Sequence, residues 1–203
     1  MTKSLGEAPD ITLMACVRRG SEAAFEELHR RYQVKLLNFF YGLGRDPHLA
    51  GDLCQETFLR IWKIRKRYRA TGSFAGYLFG VARLVWRESC RQRGKEWRLG
   101  RVQSLEGAVL ERAVCPQDGP GALAMRAEVS GRIFAALEEL PEEQRMVFLL
   151  RTVQGLSLGD IAEALDCPVN TVRSRKILAM RKLRHLLGPV FRPQAARAVP
   201  GAD

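Results

Sequence analysis

The sequence predicts an all-α fold in which two small helical domains are joined by a flexible linker. Apolar residues recur at spacings of three and four in two blocks, residues 11–93 and 127–187, and strand-like alternation is scarce. Between the blocks, residues 94–126 are rich in glycine and proline, as in a linker. The tail, residues 188–203, has the composition of a disordered segment. The 203 residues suffice for two domains of about 80 residues each.

The first block is predicted to contain successive amphipathic helices. One carries the apolar repeat from Ala24 to Phe40 and is broken by the turn-forming segment 42–47. Another is expected to begin within Leu49–Asp52 and to run to about Arg67. A third is expected over Phe74–Arg93, with an apolar side formed by Tyr77, Leu78, Val81, Leu84 and Val85.

The second block is predicted to end in a helix-turn-helix. Before it, Pro141 opens a helix at a first-turn position, followed by two glutamates at the positive end of that helix. Ser157 and Asp160 have the spacing of a capping box at the start of the motif. Pro168 cannot continue that helix, and Asn170, a favoured N-cap residue, is expected to open the next one.

This last helix is strongly basic. From Asn170 to Leu187 it carries six basic residues and no acidic one. Thr171, Arg173 and Ser174 in its first turn are donors suited to phosphates and base edges. A helix-turn-helix with these features presents its second helix to the major groove of DNA.

The overall composition also fits a polyanionic partner, either nucleic acid or an anionic membrane surface. The formal charge is +11 and the isoelectric point is near 10. No apolar run approaches the roughly 18–20 residues of a membrane span, and the N-terminus lacks a signal peptide, so a cytoplasmic location is expected. The five cysteines lie far apart without a C-x-x-C pair. We therefore expect no metal site, disulfide framework or cofactor.

A second basic segment covers residues 60–101, with thirteen basic residues and two acidic ones. Aromatic residues are interleaved with it at Trp62, Tyr68, Phe74, Tyr77, Phe79, Trp86 and Trp97. This mixture is typical of surfaces on which unpaired bases stack, although most of these rings fit a core equally well. The loop Tyr68–Ser73 is the better candidate, because a basic turn between helices can surround an extruded base.

An acidic, polar helix face precedes this basic segment. It is formed at spacings of three and four by Asp52, Gln55, Glu56 and Leu59. A neighbouring stripe that can serve as core is formed by Leu53, Thr57, Ile61 and Ile64. The spacing alone leaves open a solvated face or a docking face for a protein partner.

Three motifs then stand in the order and spacing of a known family. The first is Asp52-x-x-Gln55-Glu56-Thr57-Phe58-x-x-x-Trp62. The second is Ser73-Phe74-x-x-Tyr77-Leu78-x-x-Val81-Ala82-Arg83. The third runs from Leu140-Pro141 through Leu156-Ser157 to Pro168-Val169-Asn170-Thr171-Val172-Arg173-Ser174-Arg175. In these motifs the chain resembles extracytoplasmic-function (ECF) sigma factors of the sigma-70 family, with region 2 at residues 11–93 and region 4 at residues 127–187.

The resemblance implies a transcription initiation factor that is not an enzyme, whose partners are core RNA polymerase, promoter DNA and an anti-sigma factor. It implies that the β′ clamp helices of the polymerase are bound by Asp52, Gln55, Glu56, Phe58, Leu59 and Trp62. It assigns the minus-10 element to Arg69, Thr71, Ser73, Phe74, Tyr77, Arg83, Leu84, Arg87 and Arg91. It assigns the minus-35 element to Asn170, Thr171, Arg173, Ser174, Arg175, Ile177 and Leu178.

The chain departs from the family pattern at recognition positions. Leu84 stands where asparagine is usual, and Tyr77 stands where tryptophan is usual. In the recognition helix, apolar residues at 177, 178 and 180 stand within a stretch that commonly reads Leu-His-Arg-Ala-Arg. Ile177 and Leu178 therefore contact either thymine methyl groups or another protein surface, such as that of an anti-sigma factor.

Two other functional classes share parts of this pattern. A LuxR-type regulator has similar spacings in its helix-turn-helix domain, but its N-terminal domain would alternate strands with helices. An enzyme acting on nucleic acid would need a catalytic cluster. His29, His48 and His185 lie far apart in sequence, and the chain has no metal-ligand run, phosphate-binding glycine loop or nucleophile elbow.

Overall fold

The computed structural model describes residues 5–69, 72–98 and 131–188, and within them every regular element is helical. The helices are α1 (Asp10–Arg18), α2 (Glu22–Gly44), α3 (Pro47–Ile64), α4 (Phe74–Arg98), α5 (131–138), α6 (Glu142–Phe148), α7 (Leu158–Leu165) and α8 (Val169–Leu187). The all-α prediction is confirmed. None of the helices in these ranges has the length and apolar character of a membrane span. Most of the predicted linker, and the predicted tail beyond Gly188, lie outside the described residues.

Helices α1–α4 form a bundle around an aromatic core. The Ser21 hydroxyl caps α2 by accepting a hydrogen bond from the Ala24 N–H at 3.3 Å. Phe39 and Phe79 are fully buried and meet edge to face, with ring centroids 5.2 Å apart. The core of this bundle therefore depends on contacts between α2 and α4, which are far apart in sequence.

The start of α3 differs from the prediction. The helix begins at Pro47, because Asp46 accepts a hydrogen bond from the Leu49 N–H at 3.0 Å and proline fits the first turn. The predicted start within Leu49–Asp52 is therefore wrong by about half a turn. An Asp-Pro pair is a stronger start signal than the first apolar residue of a periodic pattern.

The end and the apolar side of α4 also differ from the prediction. The helix continues past Arg93 to Arg98, since a single glycine at position 94 costs only about 1 kcal/mol within a helix. Leu84 does not belong to the apolar side, because 49% of it is exposed. Leu78 and Val85 are buried as predicted.

Helices α5–α8 form the second bundle, which contains the predicted helix-turn-helix at α7 and α8. The capping box is confirmed: the Asp160 N–H donates to the Ser157 hydroxyl, and the Ser157 N–H donates to the Asp160 carboxylate. Asp166 ends α7 in the left-handed conformation, with φ of 49°. A π-helical turn, Leu149–Val153, continues α6.

Two predicted helix starts in this bundle are wrong, by two residues at α8 and by one residue at α6. Pro168, with φ of −58° and ψ of 145°, is the N-cap residue of α8, and its carbonyl accepts from the N–H groups of Thr171 and Val172. Asn170 therefore lies inside the first turn. Pro141 likewise occupies the N-cap position of α6 rather than its first turn. In both cases the extended backbone that proline favours lies just outside the helix.

Replacing Ser157 with alanine is expected to destabilise the protein by about 1 kcal/mol, because α7 loses its N-cap. Burial raises the pKa of Asp160, but hydrogen bonds from Ser157 and Ser73 outweigh burial and lower it below 3.8. The contribution of the ionised carboxylate is thus complete above pH 3.8 and is lost as the pH falls through the lowered pKa. Urea unfolding at pH 7 measures the loss, and Ser157→Thr should restore most of it. An unchanged free energy of unfolding would contradict the capping role.

The two bundles pack against each other through α4 and α7. Glycines allow the close approach: a Cβ atom at Gly76 would lie 3.3 Å from the Asp160 carbonyl oxygen, and one at Gly80 would lie 3.6 Å from the Ala164 Cα atom. Elsewhere the Arg145 guanidinium donates to the Leu43 carbonyl at 2.8 Å. The buried residues of both bundles consequently belong to one contiguous core.

Candidate nucleic-acid and polymerase-binding surfaces

The first turns of α8 present polar side chains to solvent. Arg173 and Ser174 are exposed, and Asn170 interacts with both of them. The Asn170 Oδ1 atom accepts from Arg173 at 3.3 Å, and its carbonyl accepts from the Ser174 hydroxyl at 3.0 Å. On the opposite side of the helix, Val172 is fully buried in the second bundle. The buried face fixes the rotation of α8, so its basic face is directed outward.

An apolar patch interrupts the basic face of α8. Ile177 is 52% exposed and Leu178 is 45% exposed, and Met180 lies exposed beside them. Basic side chains surround the patch, and Arg173, Lys176, Arg181 and Arg184 line a groove together with Ile177 and Met180. A surface that combines positive charge with exposed aliphatic groups suits either thymine methyl groups or a protein partner.

The α4 surface brings together only part of the predicted minus-10 set. Arg69, Leu84, Arg87 and Arg91 are exposed, whereas Arg83 and Ser73 are partly buried. The Ser73 hydroxyl accepts from the Gly76 N–H at 3.0 Å and therefore caps α4. Thr71 lies outside the described residues.

Two predicted base-contacting rings, Phe74 and Tyr77, belong to an aromatic cluster. The Tyr68 and Tyr77 rings lie 4.8 Å apart, and Phe74 contacts Tyr32 edge to face at 5.3 Å. Burial raises the pKa of Tyr68 and of Tyr77, so both hydroxyls remain protonated at neutral pH. Neither hydroxyl has a hydrogen-bond partner among the described residues. The cluster is therefore mainly a packing element beneath the basic loop.

The acidic face of α3 is present as predicted. Asp52 and Gln55 are exposed, Leu59 is 52% exposed beside them, and Glu56 is partly exposed. The Arg60 guanidinium donates to Glu56 at 3.0 Å and to Glu88 of α4 at 2.8 Å. This arginine link holds α3 against α4, and Asp52, at the N-terminal end of the face, forms no ion pair among the described residues.

Phe58 and Trp62 both contact Phe25 of α2, but they differ in burial. Phe58 is only 4% exposed, and its ring centroid lies 4.4 Å from that of His29. Trp62 is partly exposed, and the Arg65 guanidinium stacks 4.1 Å from its ring centroid. Phe58 thus supports α3 from within the core, whereas Trp62 extends its accessible surface.

Two of the described cysteines, Cys54 and Cys90, have thiols of low reactivity. Burial raises the pKa of the Cys54 thiol to about 12 and also raises the pKa of Cys90. A thiol with a raised pKa carries little thiolate at neutral pH and is a poor nucleophile or redox sensor. No cluster of His, Cys, Asp or Glu side chains within the described ranges could hold a metal ion.

Sequence reasoning missed the residues that connect the two predicted DNA surfaces. One Glu143 oxygen accepts from Arg87 of α4 at 2.8 Å, and the other lies 3.1 Å from Arg175 of α8. In the sequence, Glu143 appears only as an acidic residue near a helix start. The local sequence around Glu143 cannot predict these contacts, because they depend on how the two bundles pack.

Comparison with known proteins identifies both bundles. A family model described as Sigma-70 region 2 matches residues 28–96, and one described as Sigma-70, region 4 matches residues 130–183. The RNA polymerase sigma-H factor of Pseudomonas aeruginosa is 29% identical over 190 residues, which are 93% of this chain and 98% of the relative. The ECF RNA polymerase sigma-E factor of Escherichia coli is 30% identical over 188 residues, which cover 90% of this chain and 96% of the relative.

Solved structures support the fold. CnrH in complex with the cytosolic domain of CnrY has a TM-score of 0.66 at 24% identity, covering 89% of this chain and 97% of that chain. The sigma factor RpoE in complex with the anti-sigma factor NepR from Bartonella quintana has a TM-score of 0.64 at 22% identity. The match covers 81% of this chain and 96% of that chain. The LuxR-type alternative is not supported, because the N-terminal bundle matches sigma region 2. This chain belongs to the extracytoplasmic-function sigma factors of the sigma-70 family.

Proposed function

We propose that this sigma factor binds the polymerase, the minus-10 element and the minus-35 element through three separate surfaces. As a member of the family, the chain binds core RNA polymerase and directs promoter-specific initiation, and it is not an enzyme. The acidic face of α3 binds the polymerase, the basic surface of α4 and its preceding loop binds the minus-10 element, and α8 reads the minus-35 element. One observation supports this most directly: Asp52, Gln55 and Leu59 share one exposed face of the first bundle, whereas the exposed Arg173 and Ser174 belong to the second bundle.

The minus-35 role of α8 depends on its outward basic face. A recognition helix places its N-terminal residues against base edges, and these are Asn170, Arg173 and Ser174 in this chain. Ile177 and Leu178, which are exposed one turn further on, supply apolar contacts to thymine methyl groups. We therefore expect a minus-35 element that contains thymine where other factors of this family use a polar contact.

The minus-10 role falls on the exposed residues of α4. Arg87 and Arg91 lie one turn apart and can follow the phosphates of the melted strand. Leu84 stands between them and the loop and offers only apolar contact at this position. Phe74 acts from beneath as a support for the loop. Contacts to the bases of the melted minus-10 element therefore come mainly from the loop of residues 68–73.

Two finer assignments follow from the same proposal. A relative of similar fold has been solved in complex with the anti-sigma factor NepR, and we expect an anti-sigma factor to control this chain as well. We also expect the protein in the cytoplasm, where core polymerase and chromosomal DNA are found. The division into region 2 at 11–93, linker at 94–126 and region 4 at 127–187 remains part of this proposal.

Run-off transcription with purified core polymerase and a genomic promoter library tests the proposed function. New start sites that share two spaced elements are expected only when the protein is added. The minus-35 consensus should contain thymine at the position that faces Ile177 and Leu178. If the protein binds duplex DNA but neither binds core polymerase nor produces new transcripts, the proposal is wrong.

A further inference from the structure

Four exposed basic residues outside the proposed surfaces lie at one end of the first bundle. Lys63 is in the last turn of α3, and Lys66 and Arg67 belong to a 3-10 turn, Arg65–Arg67, that continues this helix. Arg18 is the last residue of α1. We call these four residues the basic end. Its members come from two separate parts of the sequence, so the charge pattern of residues 60–101 indicates only part of it.

Antiparallel packing of the helices brings the two parts together. The Ser21 N–H donates to the Cys16 carbonyl at 3.1 Å, so α2 begins beside the end of α1. Phe25, in the first turn of α2, lies 5.0 Å from Trp62 near the end of α3, measured between ring centroids. The turn Arg65–Arg67 also packs against α1. The C-terminal ends of α1 and α3 therefore share one end of the bundle.

The charges of the basic end are unpaired. Elsewhere in this bundle Arg31 pairs with Asp10 at 2.6 Å, and Arg60 pairs with Glu88 at 2.8 Å. In contrast, none of the four basic-end side chains has an ion pair or a hydrogen bond among the described residues. Like charges gathered at one end of a bundle do not stabilise the fold, but they attract a polyanion.

The surroundings of the basic end favour a phosphate backbone over a protein partner. Protein interfaces generally have an apolar centre. In the segments 18–25 and 60–69, no large apolar side chain is exposed. Glu22, exposed at the start of α2, offsets only part of the positive charge. The available contacts are therefore those of mobile cations with phosphate groups.

The basic end adjoins the proposed minus-10 surface. Tyr68 directly follows Arg67, and its ring centroid lies 4.8 Å from that of Tyr77 and 6.5 Å from that of Phe74 in the first turns of α4. These contacts attach the basic end to the start of α4. The proposed minus-10 surface begins at the same place, so a melted strand that leaves this surface can continue along the basic end.

We propose that the basic end binds phosphates of the melted promoter strand next to the minus-10 element. This inference rests on the proposed minus-10 surface. Phosphate contacts carry no sequence information, so the basic end adds affinity for the melted strand without reading its bases. It thereby extends the single-stranded contact beyond the element that α4 and its preceding loop bind.

Lys66→Gln and Arg18→Gln test the proposal in the holoenzyme. The probes are labelled single-stranded DNAs with the minus-10 element of a promoter found with the library, either alone or extended by about five nucleotides at one end or the other. Each variant should bind the probe extended at one end about two- to fivefold more weakly, and the slope of log affinity against log salt should fall by about 0.7. Both variants should affect the same extended probe, and the unextended probe should bind normally.

Lys35→Gln is the matched control. It makes the same change of charge at an exposed residue about 20 Å along α2 from Glu22. Lys66→Arg keeps the charge and should bind like the unaltered chain. Thermal midpoints of the free variants show that all of them fold.

The proposal is overturned if Lys35→Gln has the same effect, if the unextended probe loses as much affinity, or if no probe loses affinity. Weaker binding of core polymerase by Lys66→Gln or Arg18→Gln would assign the basic end to a protein contact and would also overturn it. If the unaltered holoenzyme does not bind the unextended probe, the proposed minus-10 role itself is contradicted.

Discussion

Asp52→Arg is expected to weaken binding to core RNA polymerase by about 2–4 kcal/mol, which is roughly 30- to 1000-fold. Promoter-specific transcription at limiting sigma factor should fall by a similar factor. Asp52 lies exposed at the N-terminal end of the acidic face of α3, so the substitution replaces a negative charge of the proposed interface with a positive one. Its own fold should tolerate the change, because Asp52 makes no ion pair within the described contacts. Glu56→Arg should act in the same direction. Its effect is harder to interpret, because it removes the Arg60–Glu56 hydrogen bond and places a second guanidinium beside Arg60.

The measurement is the dissociation constant for core polymerase, from fluorescence of labelled sigma factor, together with the thermal midpoint of the free protein. Glu26→Arg provides the matched control, because Glu26 is an exposed acidic residue on α2, outside the proposed interface. The control should bind polymerase normally. If Asp52→Arg and Glu26→Arg have the same effect, the acidic face does not contact the polymerase.

The double variant Arg173→Ala, Ser174→Ala is expected to reduce promoter-specific transcription by at least about 30-fold while leaving polymerase binding intact. Each base-edge or phosphate contact of a recognition helix contributes about 1–3 kcal/mol. Both residues are exposed, and their described hydrogen bonds go only to Asn170, so stability should change by less than about 0.5 kcal/mol. Run-off transcription on a promoter found with the library measures the loss.

Arg184→Ala separates sequence readout from general electrostatic attraction. Arg184 is exposed on the same helix, but it lies about 16 Å along the axis from Arg173. Its loss should weaken all duplexes alike and lower the salt dependence slightly. The Arg173 and Ser174 variant should discriminate less between the promoter and a scrambled duplex. If Arg184→Ala loses as much discrimination as the Arg173 and Ser174 variant, the first turns of α8 do not read the sequence directly.

The sequence predicted those features that arise from local chemistry. The capping box at Ser157 and Asp160 is an interaction between residues three apart, and it is present as predicted. The acidic face of α3 is likewise a property of one helix. The errors at helix starts all involve proline: Pro47 occupies the first turn of α3, whereas Pro141 and Pro168 are the N-cap residues of α6 and α8.

The features that the sequence did not predict depend on tertiary packing. Phe58 and Phe74 belong to family motifs, and nothing in their spacing distinguishes a ring that supports a surface from one that forms it. Leu84 fits an apolar helical pattern, yet no helix among the described residues buries it. The contacts of Glu143 with Arg87 and Arg175 join residues 56 and 32 positions apart, and only the packing of the two bundles brings them together.

The contiguous core has a consequence for how the free protein unfolds. Leu149 of the second bundle lies against Gly42 of the first, and the aliphatic and aromatic side chains behind them form one buried cluster. Apolar contacts shared in this way make the stability of each half depend on the other, so the free chain should melt in a single cooperative transition.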